Sequence, residues 1–203
     1  MTQLTSTPYR SPVGTLTLVA SESGLRAVIW PGESAGRVGL TGMTPASGET
    51  PGLSAAATQL DEYFAGTRTT FDLPLDLRGT EFQLAAWEAL AEIPYGETRT
   101  YAEQAARLGR PAAVRAVGTA NGRNPLSIVL PCHRVVGSDG ALRGFAGGLD
   151  VKAALLVLER EHAWGAQGDT LRRLVRRNLG GWLRPAAYGT QPAPCYPLSA
   201  RSR

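Results

Sequence analysis

A chain of 203 residues, 43% hydrophobic and 19% charged, has the composition of a soluble globular protein with room for one good core or two small ones. No apolar run approaches the roughly 20 residues that span a bilayer, and no basic-then-apolar secretory pattern opens the chain, so no membrane role and a cytoplasmic location are expected. The net charge of +4 is uneven, −6 over residues 1–97, +4 over 98–164 and +6 over 165–203, which suits a polyanion such as nucleic acid or, failing that, an Arg-rich surface without a partner.

Residues 14–30 read as a β-hairpin, with Leu16, Leu18 and Ala20 on one face, Glu22-Ser23-Gly24 as the turn, and Leu25, Ala27 and Ile29 as the return face. Residues 31–50, rich in Gly, Ser, Thr and Pro, read as a loop. Thr50 then caps a helix that has Pro51 at its first position and Gly66 after its end. Its apolar face holds Leu53, Ala56, Ala57, Leu60, Tyr63 and Phe64. Phe71, Leu73, Leu75 and Leu77 alternate with polar residues and Pro74, which makes this stretch an edge strand or an extended connector.

The remainder is mostly helical. Thr80-Glu81-Phe82-Gln83 has the form of a capping box ahead of a helix burying Phe82, Ala86, Ala89, Leu90 and Ile93, and Pro94-Tyr95-Gly96 stops it. Thr100-Tyr101-Ala102-Glu103 is a second capping box and opens a short helix to about Leu108. Gly109-Arg110-Pro111 breaks the chain before another helix, from Ala112 to about Gly122. Two short helices about such a turn are a helix-turn-helix candidate whose second member would enter a DNA groove, although many such pairs bind nothing. Ala112, Ala113, Ala116, Gly118, Thr119 and Ala120 leave that second helix almost without bulk, which suits a narrow groove or tight packing on a neighbour. Arg115 is its one long side chain near the middle.

The apolar run 126–130 should be buried, and it delivers Pro131-Cys132-His133 to its end. Thiolate, not thiol, is the attacking form of cysteine, so His133 and Arg134 are candidate activators of Cys132. Two cysteines, at 132 and 195, and two histidines, at 133 and 162, cannot make a four-ligand zinc site of usual spacing. No phosphate-cradling or dinucleotide motif is present, so neither metal nor cofactor is expected. After a turn at 137–140 and a loop at 144–148, a helix from about Asp150 to His162 carries Val151, Ala154, Leu155 and Leu158 inward. Glu159, at the edge of that face, is either a rim charge or a partly buried partner for a cation, and Lys152 is a local hydrogen-bonding or surface lysine.

Beyond it, Leu171, Leu174, Val175, Leu179 and Trp182 share one helical face, largely opposite Arg172, Arg173, Arg176 and Arg177. This segment reads as a docked helix with a solvated basic face, a non-specific phosphate-binding arm, or a membrane-surface helix. Residues 185–203 read as disordered and Cys195 as incidental.

From Phe82 to Glu159 the chain resembles the O6-alkylguanine-DNA alkyltransferases. The matching segments are Pro94-Tyr95-Gly96-Glu97 with Tyr101, Arg115-Ala116-Val117-Gly118 with Ala120-Asn121, and Asn124-Pro125. Pro131-Cys132-His133-Arg134-Val135 follows, then Gly147-Gly148-Leu149 with Lys152 and Glu159. Residues 9–77 resemble the family's N-terminal domain, and 165–203 lie outside the resemblance. The resemblance implies a mixed α/β (α+β) fold in three parts. Residues 1–78 would form a small ribonuclease-H-like sheet-plus-helix domain, and 79–164 a mostly helical DNA-binding alkyltransferase domain with the helix-turn-helix. Residues 165–203 would be a basic extension.

The implied activity is DNA repair. A monomer would transfer the alkyl group of O6-alkylguanine in double-stranded DNA irreversibly to its own Cys132, once per molecule and without a cofactor. O4-alkylthymine is a second candidate substrate. The family pattern makes Cys132 the nucleophile, His133 its base through a water, and Glu159 the group that orients the imidazole. Tyr101 would serve the departing guanine and Asn124 the hinge between DNA-binding and reactive segments. The base would be flipped into a pocket read by main-chain groups near Cys132, Val135 and Ala146, with Arg115 filling the vacated stack. Ala116, Gly118, Thr119, Asn121 and Arg123 would complete the minor-groove surface. The alternatives are a non-catalytic lesion-binding protein that flags damage for other repair systems, a thiol hydrolase, and a sequence-specific regulator.

Overall fold

Strands β1 (Thr5–Ser11), β2 (Gly14–Ser21) and β3 (Gly24–Ile29) form an antiparallel meander in the computed structural model, which describes residues 3–163. A two-residue strand, β4 (Ala46–Ser47), runs parallel to β1, giving the sheet order β3-β2-β1-β4. The predicted hairpin is thus β2–β3, and β1 is an addition. Its sequence, TSTPYRS, offers only Tyr9 as a large apolar residue, too weak a pattern to read. Pro8 is tolerated because β4 covers β1 only at Thr5 and Ser6, leaving Pro8 on an open edge.

The return face departs from strict alternation. A register shift between Val19 and Ala20 lets Leu25 and Val28 join the main core, while Ala27 and Ile29 turn to the other face. There they meet Leu4, Val19, Val38 and Leu40 in a second small cluster. The stretch read as a plain loop, 31–50, therefore supplies part of a core, because two apolar residues among its turns cover the back of the sheet. Residues 71–77 form an extended connector: Leu25 N–H donates to Pro74 O and Asp76 N–H to Leu25 O.

Helix α1 (Pro51–Phe64) lies against β1, β2 and β3 and buries Leu53, Ala56, Leu60 and Tyr63. Thr50 caps it by accepting from Leu53 N–H at 3.2 Å. Both predicted capping boxes are formed, Thr80 with Gln83 at the head of α2 (Glu81–Ala91) and Thr100 with Glu103 at the head of α3 (Tyr101–Arg107). A 3-10 turn over Pro111–Ala113 leads into α4 (Val114–Gly122). Trp87 of α2 is buried and donates from its indole N–H to Ala120 O at 2.8 Å, fixing α2 to α4. Two short parallel strands, β5 (Arg99–Thr100) and β6 (Val135–Val136), bring the start of α3 beside the cysteine segment.

The last described helix is α5 (Leu149–Ala163). Its inward positions are Lys152, Leu155 and Glu159; Ala154, expected inside, is exposed. The helix is rotated because its two inward charges find partners below it, as described next. The architecture is mixed α/β, an N-terminal sheet and helix followed by a helical part. Among the described residues no helix is long and apolar enough to cross a membrane. The readings made for 165–203, including Cys195, lie outside the described residues.

Candidate active site around Cys132

The approach to Cys132 is a tight buried turn. Asn124, fully buried, donates from Nδ2 to Leu130 O at 2.7 Å and accepts at Oδ1 from Leu126 N–H at 3.0 Å, closing residues 124–130 on themselves. Within that turn Ile128 holds a φ of +77°, a conformation costly for a β-branched residue and tolerated here because the packing around it is complete. The chain emerges as a 3-10 turn, Cys132–Arg134.

Cys132 is a free, buried cysteine at the edge of a cavity of about 270 Å3, also lined by Arg37, Tyr101, Gly118, Ser127 and Phe145. That is at the small end for ligand pockets. Two larger concavities, of about 490 and 590 Å3, lie on the sheet half around Gly24 and Met43. Neither contains a cysteine or histidine, so size alone misdirects here and chemistry points to the smaller one.

His133 is fully buried, and its Nε2 lies 2.7 Å from Glu159 Oε1. Glu159 is the hub of a larger network. It accepts from Arg134 Nε at 2.9 Å and Nη2 at 3.0 Å, from Tyr63 Oη at 2.8 Å, and from Gly96 N–H at 3.1 Å. Burial pushes its carboxyl up, but His133 and then Arg134 outweigh that and hold it at about 2. An ionised Glu159 requires Nε2 to carry the hydrogen, so Nδ1 presents a lone pair; Nδ1 is buried and has no partner among the described residues. Burial lowers the His133 pKa against the upward pull of Glu159. Burial raises that of Cys132, opposed by Asn124 and by the charges on Lys152 and Arg37. Burial thus favours the uncharged form of both groups.

Tyr101, first residue of α3, lines the cavity and donates to Arg143 O at 3.3 Å. Burial, with the nearby Cys132, raises its pKa, so its hydroxyl stays a donor. Lys152 is fully buried and donates to Val135 O at 2.6 Å and Arg143 O at 2.7 Å, tying the cysteine turn to the loop that carries Ala146. Ala146 lines the cavity. Val135 is wholly buried, and its carbonyl accepts from Lys152.

On α4 the side chains of Arg115, Ala116 and Thr119 are exposed, as is Arg123 just beyond it, while Gly118 faces the Tyr101 ring across the cavity. Asn121 departs from the expected surface. It is buried, and its carboxamide pairs with Gln104, donating at 2.7 Å and accepting at 3.3 Å, so it is turned to the α3–α4 contact and the cavity rim.

The sequence reading missed Arg37, Tyr63 and Phe145. Arg37 donates from Nη1 to Asn124 O at 2.6 Å and Gly122 O at 3.3 Å from 87 and 85 residues away, a separation no local pattern reports. Tyr63 falls on the apolar face of α1, and nothing in its spacing shows that its hydroxyl meets Glu159. Arg134, a candidate activator of Cys132, instead pairs with Glu159 and donates to Ile93 O at 2.6 Å.

The fold and this site define a mixed α/β protein built around one buried cysteine with a histidine–carboxylate pair behind it. Residues 4–77 match the family model for the ribonuclease-like domain of 6-O-methylguanine DNA methyltransferase, and residues 81–161 that for its DNA binding domain. A methylated-DNA–protein-cysteine methyltransferase of Mycolicibacterium paratuberculosis is 50% identical over 157 residues, 75% of this chain and 90% of that protein. The constitutive enzyme of that name from Bacillus subtilis is 58% identical over 113 residues, 55% of this chain and 68% of that protein. The crystal structure of Mycobacterium tuberculosis OGT in complex with DNA superposes with a TM-score of 0.69 at 46% identity, covering 79% of this chain and 94% of that one. The chain belongs to the 6-O-methylguanine DNA methyltransferase family.

Proposed function

We propose that the protein repairs double-stranded DNA by moving the alkyl group from guanine O6 to the sulfur of Cys132, irreversibly and once per molecule. The observation that carries this reading is the buried thiol at a small cavity, next to a histidine whose Nε2 is fixed by Glu159 and whose Nδ1 has no partner among the described residues. In this reading a pocket water relays the thiol proton to Nδ1, and Glu159 stabilises the imidazolium that results. The sulfur attacks the alkyl carbon, the C–S bond forms as the C–O6 bond breaks, and the bonding pair passes to the guanine. Tyr101 donates a hydrogen bond to the departing ring, which takes up a proton, so that one proton moves overall from thiol to guanine. The displacement balances without a cofactor. A thioether is a poor leaving group, so the protein is consumed. The same chemistry serves O4-alkylthymine.

The target base must leave the duplex, at a cost of a few kcal/mol. The α3–α4 pair acts as a helix-turn-helix laid in the minor groove, with Ala116 and Gly118 permitting close approach, Thr119 and Arg123 flanking them, and Arg115 filling the vacated stack. Asn124 is the hinge, and the backbone near Ala146 reads the flipped base. Residues 79–164 are the reactive domain and 1–78 the domain that braces it, in a cytoplasmic monomer. Support comes from the exposed, small-residue face of α4 and from the DNA-bound relative.

Mixing the 203-residue protein with a duplex bearing O6-methylguanine should add the mass of one methyl group, mapped to Cys132 and absent in Cys132→Ser. Repaired DNA accompanied by unmodified protein, or repair beyond one equivalent, refutes the reading.

A further inference from the structure

The turn after β3 sends one side chain to the reactive cavity, Arg37, and one to the loop that borders it, Trp30. Trp30 is buried, and its indole stands edge-on to Phe145 of the cavity loop, centroids 5.3 Å apart and planes at 67°. The same ring lies so close to Gly147 that a Cβ there would sit 2.8 Å from indole Cε3. Phe145 in turn meets the His133 ring edge-on at 6.2 Å. Seven residues after Trp30, Arg37 lines the same cavity and grips the carbonyls of Gly122 and Asn124. Glu33 ties the two arms together, since its Oε2 accepts from Trp30 N–H at 3.0 Å and from Arg37 Nη2 at 3.1 Å.

We propose that Trp30, anchored through Glu33, is a specificity-determining residue that sets how large an alkyl group the cavity admits beside Cys132. It is a positioning residue, touching the loop and not the reacting atoms. The loop has little stiffness of its own, with Gly144 and Gly148 both at positive φ and Gly147 between them. A flat aromatic wall from the sheet half gives it one position, and Phe145 then closes the cavity on that side. A methyl group fits within the closed space; a benzyl group needs the wall to retreat. The inference rests on the alkyl-transfer reading above.

The test uses the full chain and single-turnover transfer from duplexes carrying O6-methylguanine or O6-benzylguanine, followed by intact mass. Trp30→Ala should raise the benzyl-to-methyl rate ratio about tenfold, the scale on which a pocket discriminates by small differences in bulk. Gly147→Ala alone should slow both transfers, because its Cβ has no room against the indole, and the same change made in the Trp30→Ala background should cost little. Should Trp30→Ala not fold, Trp30→Phe keeps apolar bulk and should shift the ratio in the same direction by less. A ratio unchanged in every folded Trp30 variant, with wild-type methyl transfer intact, overturns this inference and leaves the reaction standing. Failure of the wild type to take up any alkyl group overturns both.

Discussion

Glu159 is fully buried, and Tyr63, Gly96, His133 and Arg134 all converge on it. Replacing it singly leaves the Arg134 guanidinium buried without its counter-charge. Glu159→Gln should therefore cost about 3–5 kcal/mol of stability, measured by urea unfolding at neutral pH. The pH dependence has a definite sign. A carboxyl held at about 2 in the fold, against 4.5 ordinarily, contributes stability that is fully present above 4.5 and is lost as pH falls toward 2. Wild type should lose stability across that window, and Glu159→Gln should lack this component. With the His133 pKa lowered by burial, the imidazole remains a free base at neutral pH, and the transfer rate should fall only below its ordinary value of 6.5.

At the scale of elements, the two capping boxes separate stability from function. Each Thr→Ala change at position 80 or 100 should cost about 1 kcal/mol. Only Thr100 sits at the head of the helix that presents Tyr101 to the cavity, so Thr100→Ala should also slow alkyl transfer, while Thr80→Ala should affect thermal unfolding alone. Gly118 makes the opposite trade. A Cβ there would meet the Tyr101 ring at 3.9 Å, an ordinary contact, so Gly118→Ala is sterically allowed and should stabilise α4 by up to about 1 kcal/mol. If α4 enters a groove, the added methyl should nevertheless weaken binding to duplex DNA in an anisotropy titration. Unchanged affinity would mean that the small-residue face serves packing only.

Across the whole molecule the charge gradient matters more than the total. Residues 1–97 sum to −6 and residues 98–164 to +4, and 165–203 add a further +6, so the positive charge that would meet a phosphate backbone lies in the later part of the chain. If that extension is a phosphate-binding arm, truncation after residue 164 should flatten the dependence of log affinity on log salt concentration. An unchanged slope would exclude the arm. The halves are also joined by chemistry: Tyr63 of α1 and Arg37 of the turn after β3 reach the Glu159 hub and the Asn124 turn. The sheet half thereby stiffens the site from behind, and its sequence bears on the reaction without supplying a reacting atom.

Local rules were enough for much of this protein. Thr50, Thr80 and Thr100 announced three helices because a cap is a contact within four residues, and the order of spaced motifs singled out Cys132, His133 and Glu159, which the structure buries in one region. What pattern reading could not supply were contacts between distant residues: Arg37 on Asn124, Tyr63 on Glu159, Trp30 on the cavity loop. It also put Ala154 inside and treated Lys152 as a local or surface group, since periodicity assigns charged side chains outward and cannot foresee that two carbonyls and a buried ion network await them. Asn121 shows the same limit, its carboxamide paired with Gln104 inside the fold. Sequence determined which residues could do chemistry; only tertiary packing decided which of them face the cavity and which hold its walls, because burial and pairing are properties of neighbours the chain order does not name.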